Sequence, residues 1–80
     1  MRYFIVDDDR ASRLMLNHII DDSALGTVIG EEKNGEEAIP QILMTQPDFV
    51  LLDLLMPNLD GIATMERLHE NRFQGNFIMI

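Results

Sequence analysis

Hydrophobic positions along this chain follow two rhythms. Short runs rich in Ile, Val and Phe occur at residues 3–6, 27–31, 49–53 and 76–80. Between them, apolar residues return every third or fourth position, as they do on one face of a helix. Residues 10–20, 35–44 and 61–70 are the predicted helices. Strand and helix thus alternate as β-α-β-α-β-α-β, the pattern of βαβ units around a parallel sheet. The apolar set on the first helix is Leu14, Met15, Ile19 and Ile20, and on the third it is Ile62, Met65 and Leu68. The run at 49–53 is apolar until its last residue, Asp53, and suits a strand covered on both faces. Asn34-Gly35 announces the second helix, but Pro40 falls inside it. Proline removes one backbone hydrogen bond and crowds the preceding turn, so this helix is expected to start late, kink or be short.

Eighty residues, 46% hydrophobic and 25% charged, describe one small globular domain over residues 1–80. Fourteen Asp and Glu against six Lys and Arg give a net charge of -8, which repels a phosphate backbone and excludes direct nucleic acid binding by this piece. No apolar run approaches the roughly 20 residues that span a bilayer, and the N-terminus lacks the apolar core of a signal peptide. A cytoplasmic protein without a membrane partner is expected. The chain has no cysteine, so a bound metal would be held by oxygen. The six methionines are scattered and read mostly as core packing. His18 and His69 lie on predicted helices without ligand spacing and are assigned no role.

The acids carry the chemistry. In open parallel sheets the functional crevice lies outside the carboxyl ends of the strands. Asp7, Asp8 and Asp9 leave the first strand at that edge, and Asp53 leaves the third there. If those strands are neighbours, the four carboxylates converge, and their mutual repulsion calls for a cation between them. Mg²⁺, which takes one or two carboxylates with water and phosphate oxygens, suits the set. Helix capping accounts for one or two of the three consecutive acids by itself. A carboxylate at a strand end beside a bound cation is also a nucleophile towards phosphorus, the ion offsetting charge on the attacking and transferred oxygens. Asp53 is the residue so placed. Pro57 and the turn through Asn58, Asp60 and Gly61 are expected to shape the loop beside it.

Three motifs, FIVDDD, NGEEA and DFVLLDLLMPNLDG, occur in an order and spacing that resembles the receiver domain of bacterial two-component response regulators. The resemblance runs along the whole chain. It implies an α/β, flavodoxin-like, three-layer domain with strand order 2-1-3-4. It also implies a phosphoacceptor that assists its own phosphorylation rather than an enzyme. Asp53 would take a phosphoryl group from a histidine kinase, with Mg²⁺ held by Asp8, Asp53 and the main-chain carbonyl of Leu55, and Asp7 touching the ion directly or through water. The family's switch Ser or Thr and its Lys fall beyond Ile80, and Lys33, the one lysine, is elsewhere. The chain therefore reads as a C-terminally truncated receiver domain in which the usual switch is expected to be absent.

Two other readings are weighed. A phosphatase of the haloacid dehalogenase type needs a second Asp two residues after the nucleophile, where this chain has Leu55. A truncated or pseudo-receiver would serve only as a folding or self-association unit. In either receiver reading the run at 76–80 is an exposed edge strand, and such edges recruit other strands, so a homo-oligomer through it is expected.

Overall fold

The computed structural model describes residues 1–56 and 59–80. Four strands, β1 (Arg2–Val6), β2 (Thr27–Glu32), β3 (Phe49–Leu52) and β4 (Asn76–Met79), alternate with three helices, α1 (Arg10–Asp22), α2 (Gly35–Thr45) and α3 (Gly61–Glu70). All strand pairs are parallel, in the order β2-β1-β3-β4. The alternation predicted from the two rhythms is what forms.

The period-two geometry of a strand sends alternate side chains to opposite faces of the sheet, and this sorts the core into two layers. Phe4 and Val6 of β1 and Val50 and Leu52 of β3 pack with Ala38 and Ile42 of α2 and Leu68 of α3. On the other face Tyr3, Ile5 and Leu51 pack against Ile20 of α1. Both faces of β1 and β3 are therefore covered, which is why their sequences are continuously apolar rather than alternating.

Four expectations change in whole or in part once the helices are packed. On α1 only Ile20 of the predicted apolar set is buried; Leu14, Met15 and Ile19 are exposed. The covered stripe instead runs through half-buried Arg13 and Leu16 to Ile20, at spacings of three and four residues, and it contains a charged side chain that an apolar search passes over. On α3 the inner face is Gly61, Thr64 and Leu68 with Met65 half-buried, while Ile62 is exposed. Small residues occupy that face because α3 lies close to α2, and a Cβ on Gly35 would meet the Thr64 hydroxyl. The helix α2 neither starts late nor stops short: it runs eleven residues through Pro40. Pro40 is exposed, so its ring sits on the solvent side of the helix, and the hydrogen bond it removes is the one the Glu36 carbonyl would otherwise accept. Of the six methionines Met56 is buried and Met65 and Met79 pack half-buried against the same core, while Met1, Met15 and Met44 are exposed, so core packing accounts for half of them.

The topology opens the site. The chain enters α1 after β1 and α3 after β3, and these helices lie on opposite faces of the sheet. Neighbouring strands whose connections depart to opposite sides leave a crevice at their carboxyl ends. Asp7 and Asp53 sit on its two sides, one residue beyond β1 and β3 respectively.

Candidate functional site

Each acid is placed by backbone hydrogen bonds that extend the sheet by one residue. The Asp7 N–H donates to the Glu32 carbonyl at 3.0 Å and the Asp53 N–H to the Val6 carbonyl at 2.9 Å. Carboxylate oxygens of Asp7, Asp8 and Asp53 then lie within 4.8 Å of one another. Asp7 is buried, Asp53 half-buried and Asp8 exposed. The cavity they share holds about 440 Å³ and is walled on its apolar side by Met15, Leu16 and Ile80.

Asp9, the fourth acid of the expected cluster, does something else. Its Oδ1 accepts the Ala11 N–H at 3.2 Å and its Oδ2 the Ser12 hydroxyl at 2.9 Å, so it is the N-cap of α1. A cap of this kind contributes about 1 kcal/mol by occupying free helix N–H groups. The run of three aspartates thus divides into two site residues and one cap.

The two inner acids are oriented by main-chain donors. Asp7 Oδ1 accepts the Asp9 N–H at 2.9 Å, and Asp53 Oδ1 accepts the Leu55 N–H at 3.1 Å. Leu55 follows Asp53 on the same loop with its side chain 83% exposed. Pro57 and Asn58 lie outside the described residues. Asp60 and Gly61 lead the chain into α3, as a turn before a helix is expected to. Asp60 caps α3 by accepting the Ala63 N–H at 2.9 Å, and Gly61 is the first residue of that helix. A Cβ on Gly61 would run into the Asp53 carbonyl oxygen. The glycine is there for close approach, and the Gly61 N–H reaches the Leu54 carbonyl at 3.1 Å.

Electrostatics at this cluster are unfavourable without a cation. Burial pushes the Asp7 carboxyl above the ordinary carboxylate value, more than the opposing Asp9 N–H pulls it down. The charges of Asp53 and Asp8 and a carboxyl hydrogen bond shared with Asp53 push it further. Three hard oxygen donors at this spacing fit a divalent ion of the Mg²⁺ type, whose charge would relieve the same repulsion.

Sequence reasoning missed Arg13. Its Nη1 donates to the Asp7 carbonyl at 2.7 Å and its Nε to Glu31 Oε1 at 2.9 Å. A signal existed in its spacing, three and seven residues before Leu16 and Ile20, but its charge assigned it to the solvent face. His18 and His69 are exposed, and His69 packs edge-on against Phe77.

An open parallel sheet with an acidic, oxygen-only cluster at its switch point defines a class of α/β domains that handle phosphoryl groups or cations at the strand ends. The comparisons narrow this to one family. Residues 3–80 match the response regulator receiver domain, and the chain belongs to that family, the receiver domains of two-component signalling. It is 44% identical over 81 residues to the transcriptional regulatory protein GlnL of Bacillus subtilis, covering 100% of this chain and 26% of that protein. Among solved structures it resembles the response regulator domain of Thermotoga maritima CheB, with a TM-score of 0.91 and 33% identity over 99% of this chain and 58% of that one. It also resembles a CheX-CheY-BeF3-Mg+2 complex from Borrelia burgdorferi, with a TM-score of 0.92 and 28% identity over 99% of this chain and 60% of that one. The chain spans about a quarter of the length of GlnL. Among the described residues, no helix is long and apolar enough to cross a membrane.

Proposed function

We propose that this chain accepts a phosphoryl group from a histidine kinase onto Asp53 in a Mg²⁺-dependent reaction. The observation that carries the reading is the convergence of Asp7, Asp8 and Asp53 within 4.8 Å at the carboxyl ends of β1 and β3. Asp8, Asp53 and the main-chain carbonyl of Leu55 would hold the ion, with Asp7 reaching it directly or through water. When bound, the ion offsets negative charge on the attacking carboxylate and the transferred oxygens. The Asp53 carboxylate forms the new bond to phosphorus as the phosphorus–nitrogen bond of the donor imidazole breaks; the imidazole keeps the electron pair and takes a proton from solvent. The Leu55 N–H on Oδ1 fixes the plane of the nucleophile. The chain assists its own phosphorylation and is not an enzyme towards a separate substrate.

The remaining features follow from surface and charge. A net charge of -8 disfavours nucleic acid, and the setting is cytoplasmic, where response regulators meet their kinases. Among the described residues β4 has β3 as its only neighbour in the sheet, and a second copy of this chain pairs along the other edge of β4.

Incubation with acetyl phosphate and Mg²⁺, read by intact mass, tests the central claim. A single phosphoryl adduct is expected that needs the metal and is absent from Asp53→Asn. An adduct that persists in Asp53→Asn overturns the assignment of Asp53.

A further inference from the structure

Arg13 lies in the first turns of α1 and reaches back to the end of β1. Its Nη1 donates to the Asp7 carbonyl at 2.7 Å, and its Nε to Glu31 Oε1 of β2 at 2.9 Å. Glu31 is held in turn: its Oε2 accepts Asn17 Nδ2 at 2.8 Å, and the same amide donates to the Arg13 carbonyl at 2.9 Å. The Arg13 side chain is 16% exposed, and its guanidinium is tied at two points of its planar fork. Such a group has little freedom to rotate.

The Asp7 carbonyl is the place where this bond has consequence. The strand ladder uses the Asp7 N–H, but the neighbouring Asp53 N–H goes to the carbonyl of Val6 rather than of Asp7. Arg13 supplies the donor that the ladder does not. Because the peptide joining Asp7 to Asp8 is planar, fixing its carbonyl fixes the direction in which Asp8 leaves the strand. Asp8 depends on this more than its partners do. Asp7 and Asp53 each have a main-chain N–H on their carboxylates, whereas among the described residues no hydrogen bond reaches the carboxylate of Asp8.

We infer that Arg13 is a positioning residue for the acid cluster: by clamping the Asp7 carbonyl against β2, it aims the Asp8 carboxylate at the point where Asp7 and Asp53 meet. The inference rests on the proposed cation site and adds to it a residue that never touches the ion.

Charge and geometry predict opposite signs when Arg13 is removed. Deleting a positive charge near a cation site strengthens cation binding by simple Coulomb attraction. Losing the clamp weakens it, since supporting residues of metal sites typically contribute 10- to 100-fold in affinity. Calorimetric titration of the chain with Mg²⁺ decides between them, at a temperature where circular dichroism shows each variant folded. Arg13→Met is expected to raise the dissociation constant roughly tenfold. Arg13→Lys keeps the charge but satisfies Asp7 or Glu31 and not both, and is expected to raise it roughly threefold.

Unfolding in EDTA is measured beside the titration. A purely structural role lowers the midpoint of both variants yet leaves the Mg²⁺ affinity of the folded protein unchanged, and that result overturns the inference. So does tighter binding by Arg13→Met. If Arg13→Met does not fold, Arg13→Lys decides alone: weaker binding with the charge retained supports the clamp, and affinity equal to wild type overturns it. Wild-type protein that binds no Mg²⁺ overturns the cation site as well, whereas wild-type binding with unaltered variants overturns only the role of Arg13.

Discussion

At the scale of single residues, the three neighbouring aspartates show how position alone divides identical side chains among tasks. Asp7 is buried beside Asp53, Asp8 stands at the exposed mouth, and Asp9 caps α1. For Asp7 the consequence is a measurable penalty. Its folded carboxyl binds a proton more tightly than the unfolded one does, chiefly through burial. Where the folded state holds more protons, stability falls as pH rises. The window opens at the ordinary value of 3.8 and closes at the raised folded value, above which the penalty is complete. In EDTA at pH 7, Asp7→Asn is therefore expected to unfold at higher urea than wild type, with the advantage vanishing by about pH 3, below the ordinary value. A difference that is independent of pH sinks this account. The residue scale was well legible in sequence for Asp7, Asp8 and Asp53, because acids at the ends of apolar runs are conspicuous. Arg13 was not, because its one signal, helical spacing to Leu16 and Ile20, is outweighed by a charge that ordinarily marks a solvated position.

At the scale of elements, the helices decide how closely the site can be enclosed. The first residue of α3 approaches the end of β3 so closely that only glycine fits, and the same helix presents Thr64 to Gly35 of α2. Gly61→Ala sets two effects against each other. Alanine favours a helix interior over glycine by about 1 kcal/mol, a gain that is smaller at a first helical position such as this, while forcing a methyl group against backbone costs about 1–3 kcal/mol. The obstacle is the Asp53 carbonyl, which cannot rotate away as a side chain would, so net destabilisation of about 1 kcal/mol is expected by urea denaturation. Phosphoryl transfer from acetyl phosphate should slow as well, since the displaced backbone carries Asp53, the proposed nucleophile. An unchanged or higher midpoint would show that α3 slides without cost. The helical faces were only partly legible: Leu68 and Met65 of α3 and Ile20 of α1 turn inward as expected, and the rest of each apolar set does not. Leu14, Met15 and Ile62 are apolar and exposed, and burial there follows where the sheet lies rather than where hydrophobic residues cluster.

At the scale of the whole molecule, an order of β2-β1-β3-β4 leaves one consequence at the sheet's margin. Ile78 and Ile80 are 42% and 44% exposed on or just beyond β4, the marginal strand among the described residues. Edges of this kind pair with other strands unless charge or proline blunts them. Sedimentation velocity is expected to show a dimer or larger species that grows with concentration and is lost in Ile78→Lys. A monomer at every concentration would remove self-association from the reading.

The sequence by itself determined the alternation of elements, the parallel sheet and the identity of the acids, because strand and helix periods and strand-end carboxylates are local signals. Tertiary structure alone decided which acids converge, and why Gly61 and Arg13 are where they are. Those outcomes depend on the approach of segments far apart in the chain: β1 to β3, α3 to the end of β3, and α1 to β2. No local pattern records such distances.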